Sequence, residues 1–212
     1  MKLPDCLTTP EPESEAVGLL RTYYGPRSDG REPFDGRHFD TWLPGPPDRF
    51  TAEDILSVEF LNVNVHRRAF LHILDPSLDN RFNKLLAQIP TDVDFWDAGY
   101  PSETSPQWRL YDELKLEYDV GRTKTTKLMH RKRPRLVPIR DSVIERVLEL
   151  DHPYWEPLFA LFRDTDLRER LSSIEARARA EGVALPEGVT LLRVFDVVVW
   201  MSGITDEAEF LG

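Results

Sequence analysis

Between Gly121 and Arg140 the chain reads GRTKTTKLMHRKRPRLVPIR. These 20 residues hold Arg122, Lys124, Lys127, Arg131, Lys132, Arg133, Arg135 and Arg140, with no acid among them. Eight like charges repel one another, so the segment must be solvated, pair with the chain's own carboxylates, or lie against an external anion. With 27 basic and 37 acidic residues the formal net charge is −10, which leaves 19 basic against 37 acidic residues, or −18, outside the run. Such segregation points to one anion-facing surface on an otherwise acidic protein. The competing reading is a basic strip that neutralises the chain's own Glu and Asp.

The run must be carried by a folded protein. At 212 residues, 41% hydrophobic, with 11 Phe, 5 Trp and 6 Tyr, the chain can bury a core large enough to offset the entropy of ordering it. Mean hydropathy is −0.42, and no stretch approaches the roughly 18–20 consecutive apolar residues that a membrane span needs. The N-terminal MKLPDCLTTPEPESE carries no apolar leader, so the expectation is a cytoplasmic protein with no membrane association. The lone Cys6 rules out an intrachain disulfide, a four-cysteine zinc site and a cysteine-held iron–sulfur cluster within one chain. Residues 1–14, polar and acidic, read as a mobile arm, and 15–212 as a single all-α domain without internal repeats.

Helix signals recur along that domain. The spacing predicts helices over Glu15–Tyr24, over 51–61 from the capping box Thr51-x-x-Asp54, over Arg67–Leu74, and over Leu78–Ile89 entered through Pro76-Ser77. Ser105-Pro106 supplies a cap and a first-turn proline for a helix to Leu116, with Trp108, Tyr111 and Leu114 on one face. A mostly polar helix fits Thr123–Lys132 and stops before Pro134. Asp141 caps a helix to Leu150, and others fit Pro153–Phe162, Asp166–Glu181 closed by Gly182, and Leu191–Met201 ended by Gly203. The Gly/Pro-rich stretch 25–50 reads as a long loop held by Phe34, Phe39 and Trp42, whose Arg27, Arg31, Arg37 and His38 can add to an anion surface.

The basic run starts at a hinge. A glycine at 121 between two helices permits positive φ, and the helix that follows presents N–H groups at its N-terminus, where Arg122, Lys124 and Lys127 add counter-charge. That combination reads phosphate position rather than base sequence. Here the chain resembles the helix-hairpin-helix DNA glycosylase superfamily, most of all its adenine DNA glycosylase and endonuclease III branch. Val120-Gly121-Arg122 matches the end of the family's Leu-Pro-Gly-Val-Gly-Arg hairpin, and Thr125-Thr126 its small helical positions. Val137-Pro138-Ile139-Arg140-Asp141 matches its Phe-Pro-Ile-x-Asp segment, and Ser142–Leu148 the helix after it. The resemblance covers about 30 of 212 residues. It departs at Asp119 and Tyr118, where the family has glycine and proline, and at Thr123, where the bifunctional members carry their lysine nucleophile. The Lys132-Arg133-Pro134-x-Leu136-x-Pro138-x-x-Asp141 signature also resembles that of an actinobacterial family of unknown function.

The resemblance implies an all-α multi-helix domain, glycosylase-like, with the helix-hairpin-helix at about 105–133. Double-stranded DNA would be held by its phosphate backbone at Val120, Gly121, Arg122, Thr123, Lys124, Lys127, Arg131, Lys132, Arg133 and Arg135. Asp141 would be the carboxylate that stabilises an oxocarbenium-like transition state or activates water for base excision. Asp141 as a plain helix cap is the alternative. If about four phosphates are neutralised, log K falls with log salt at a slope of about −3.6. No cofactor is expected. Asp92, Asp94 and Asp97 match no ligand loop, five scattered histidines including His130 make no zinc pattern, and no Walker, dinucleotide or Gly-x-Ser-x-Gly motif is present. The rival function is a non-catalytic interaction or structural module whose basic helix docks an acidic partner.

Overall fold

Every element among the described residues is helical, as the recurrence of caps and apolar stripes predicts. The structure, a computed structural model, describes residues 1–8, 13–27, 31, 33–76, 81–150 and 154–210. In chain order the helices are α1 (Glu13–Tyr24), α2 (Ala52–Glu59), α3 (Arg67–Ile73), α4 (Arg81–Leu86) and α5 (Pro106–Lys115). They continue with α6 (Gly121–Lys132), α7 (Ser142–Val147), α8 (Trp155–Phe162), α9 (Thr165–Ala180) and α10 (Leu191–Phe210). The proposed helix starts at 77–80 and 151–153 lie outside the described residues. Among the described residues no helix is long and apolar enough to cross a membrane.

Local chemistry sets most of the starts. Thr51 and Asp54 form a reciprocal box in which Thr51 Oγ1 accepts from Asp54 N at 3.4 Å and Asp54 Oδ2 accepts from Thr51 N at 2.9 Å. Ser105 Oγ accepts from Trp108 N at 3.2 Å, and Pro106 occupies the first turn, where its missing N–H leaves no bond unmade. Asp141 Oδ1 caps α7 through Val143 N at 3.0 Å. Asp164 caps α9, so that helix begins at Thr165 rather than Asp166, and Gly182 follows its end at φ 77°. The α5 face differs from its sequence reading: Gln107, Leu110 and Leu114 are buried, whereas Trp108 and Tyr111 are half-buried.

Two compact units form. One is built from Met1–Phe34 with Arg140–Gly212, and the other is the continuous stretch Asp35–Ile139. In the discontinuous unit α1 packs on α9 and α10, α7 packs on α10, and α8 packs on α9. Its core joins Ala16, Val17 and Leu20 with Leu171, Ile174, Ala178, Val194, Val197 and Val198. Residues 1–8 do not behave as the expected arm, because Lys2 N donates to Leu148 O at 2.8 Å and Cys6 and Leu7 are buried. Helix α10 runs past Gly203, which serves a close approach to α7 rather than a helix stop. In the continuous unit α5 packs against both α4 and α6, and α2 packs against α6. Ile55, Val58, Phe82, Leu86, Leu110, Leu114 and Leu128 fill that interior.

Candidate nucleic-acid interface

The chain reverses between α5 and α6 over five residues. Glu117 N donates to Leu114 O and Val120 N to Glu117 O, both at 3.1 Å, which closes the corner. Asp119 then takes φ 57°, Val120 takes φ −80° and ψ −57°, and Gly121 takes φ 59°. A left-handed, right-handed, left-handed succession is the backbone pattern that turns consecutive amides to one side; here Val120 N is taken by Glu117 O. Val120 is buried and has no side-chain acceptor, so the first turn of α6 has no side-chain cap. Gly121 is demanded by its dihedral and not by space, since a Cβ there would meet nothing within 4 Å. The aspartate at 119, a departure from the glycine of the resembling family, adopts the left-handed conformation itself.

Charges around the corner are paired. Lys124 Nζ donates to Asp119 Oδ2 at 2.8 Å, and this bond holds the Asp119 carboxyl below its ordinary range. Glu117 accepts from His72 Nδ1 at 2.5 Å and from Arg81 at 2.8 Å, which ties the corner to α3 and α4. On the outer side Tyr118 is half exposed, with the Arg68 guanidinium 5.1 Å above its ring and the His66 ring 4.5 Å away. Sequence reasoning missed His66 and Arg68. Their only signal was a His66-Arg67-Arg68 run at a helix start.

The C-terminal half of the basic helix points inward, against expectation. Lys127 is buried and donates to Leu61 O at 2.9 Å. Arg131 donates to Phe39 O at 2.6 Å, to Trp42 O, and to Asp54 Oδ1 at 3.4 Å. Lys132 pairs with Asp54 Oδ2 and donates to Pro46 O at 3.1 Å. Arg133, 1% exposed, donates to Ile89 O, Pro47 O, Leu86 O and Asp48 Oδ1 at 2.5–2.8 Å. The physical reason lies in the acceptors on that side: the carbonyls of Phe39, Trp42, Pro46 and Pro47 belong to a loop without helix or ladder, and Lys and Arg bring three and five N–H donors each. Burial lowers the pKa of Lys132 and Arg133, while Asp54 and Asp48 oppose that shift.

Lys127, Arg131, Lys132 and Arg133 are therefore removed from the expected outer face by their own carbonyl and carboxylate partners. Arg135 remains on the surface, bidentate to Asp94 at 2.8 and 2.6 Å, and Arg122 is exposed. Thr123 and Lys124 are half-buried. His130 is fully buried, with Nδ1 at 2.6 Å from Val137 O. In the loop, Arg37 Nε contacts His38 Nε2 at 3.1 Å, and in the other unit the Arg27 guanidinium lies over the Phe34 ring at 4.6 Å. Asp141 belongs to the discontinuous unit while the hairpin belongs to the continuous one, and its carboxylate caps α7. Among the described residues no group of three or more His, Cys, Asp or Glu is placed to hold a metal ion.

These features define an all-helical protein in which a short hairpin leads into a basic helix whose far end is an internal tie. Residues 16–203 match the family of unknown function DUF6308, and the chain belongs to that family. No curated protein and no solved structure matches it.

Proposed function

We propose that the protein binds DNA through the hairpin at Tyr118–Lys124, as a helix-hairpin-helix module that holds the phosphate backbone. The observation that carries this reading is the alternation of left- and right-handed dihedrals at Asp119, Val120 and Gly121 ahead of a helix with no side-chain cap. The resemblance in sequence falls on these same residues. Asp119 costs less beside a phosphate than its charge suggests, because Lys124 already neutralises it.

The footprint is narrower than the basic run implies. With five of the run's eight cations, Lys127, Arg131, Lys132, Arg133 and Arg140, held by partners of their own, about two phosphates rather than four are engaged, and the slope of log K against log salt falls to about −1.8. Fluorescence anisotropy on a labelled oligonucleotide across a salt series measures it. Arg122→Glu is expected to weaken binding and to bring the slope about one unit closer to zero. A slope near zero for the wild type, or an Arg122→Glu variant indistinguishable from it, refutes the clamp.

Base excision by Asp141 gains no support from its position, since the carboxylate is used as the α7 cap. The reading is accordingly one of binding. The inward cations favour a second role for the rest of the run, as an internal scaffold for the 35–50 loop. Docking of an acidic partner along α6 would require those same side chains on the surface.

A further inference from the structure

We infer that the ligand carries an unpaired base next to the clamped phosphate, and that Tyr118, with His66 and Arg68 leaning on its ring, is the surface on which that base lies. This rests on the hairpin reading above. Tyr118 directly precedes Asp119, where the left-handed, right-handed, left-handed succession begins, so it belongs to the same corner. The ring is 53% exposed although two groups already lean on it: the Arg68 guanidinium at 5.1 Å and the His66 ring at 4.5 Å, tilted by 56°. Leu116, 80% exposed two residues earlier, extends the apolar edge.

The stack is held in place before any ligand arrives. His66 Nδ1 accepts from Arg68 N at 3.2 Å as the cap of α3, which fixes the tautomer with hydrogen on Nε2. Val65 N donates to Glu59 Oε1 at 3.0 Å, and His72 on α3 reaches Glu117 in the corner itself. Arg68 is exposed, and a guanidinium plane is a stacking surface in its own right as well as a cation. In a continuous duplex the faces of every internal base are covered by neighbours. An unpaired or unstacked base offers a π-face, and aromatic platforms beside a backbone-tracking cation site select for it without reading its identity.

The test compares a labelled oligothymidylate, a chain of the same length built from abasic sugar–phosphate units, and a blunt duplex. The wild type is expected to bind oligothymidylate more tightly than either of the others. Tyr118→Ala is expected to weaken oligothymidylate binding about 5- to 150-fold, the range for one lost base stack, with the salt slope and abasic binding unchanged. Tyr118→Phe, which keeps the π-face, is expected to restore it. Thermal melting checks that each variant folds, as an exposed position permits. If Tyr118→Ala binds oligothymidylate like the wild type while Arg122→Glu does not, the stack is wrong and the clamp stands. If no probe binds at all, both fail.

Discussion

Asp54 is the carboxylate on which the interior of the 35–139 unit depends. It is 1% exposed, accepts from the Thr51 backbone and faces both Arg131 and Lys132. Taking one partner from a buried ionic cluster leaves the others desolvated and uncompensated, which costs about 3–5 kcal/mol, several times the value of a surface pair. Asp54→Asn is therefore expected to lower the unfolding free energy read from urea denaturation by an amount of that order, and a loss below about 1 kcal/mol would show that the cluster is not what holds the loop. The capping role of this residue is visible in sequence from the Thr51-x-x-Asp54 spacing. Its pairing with Arg131, 77 residues away, is not, because nothing local to either residue encodes it.

At the element scale the informative contact is α7 against α10. A Cβ on Gly203 would stand 2.5 Å from Val147 Cγ2 and 2.6 Å from Val143 Cγ1. β-Branched side chains have few rotamers with which to yield, so Gly203→Ala is expected to cost about 1–3 kcal/mol as overpacking. Gly18→Ala in α1 is the control: a Cβ there meets nothing within 4 Å, and the substitution is expected to gain about 0.5–1 kcal/mol from helix propensity. Thermal melting of both variants gives opposite shifts if close approach governs Gly203, and shifts of the same sign if it does not. A glycine late in an apolar run reads as a helix end from sequence, since both roles present the same residue at the same place. Thr51, Ser105 and Asp141 were legible because a cap acts within three residues.

Across the whole molecule the charge is divided unevenly. The continuous unit, which carries the hairpin, has 15 basic and 16 acidic residues, and the discontinuous unit has 12 and 21. The acidity that argues against a polyanion partner thus belongs mainly to the unit without the hairpin. The discontinuous unit also carries the alkaline limit of stability. Burial, with Glu15 and Asp5 adding to it, pushes the Cys6 thiol up to about 12, and burial likewise raises the Tyr154 phenol. The unfolded chain ionises these groups first, so the stability they confer is complete below about pH 9 and is lost as pH rises toward 12. Urea midpoints across that range should fall more steeply for the wild type than for Cys6→Ser, whose hydroxyl does not titrate; equal slopes would contradict the burial of the thiol. What the sequence determined alone is whatever acts over a few residues: the helical class, most helix starts, and a reversal at Gly121 with the dihedral freedom it needs. Which way the cations face was decided only by tertiary structure, because the carbonyls and carboxylates that draw Arg131, Lys132 and Arg133 inward come from residues about 40 to 90 positions away, and a charge run carries no mark of partners that distant.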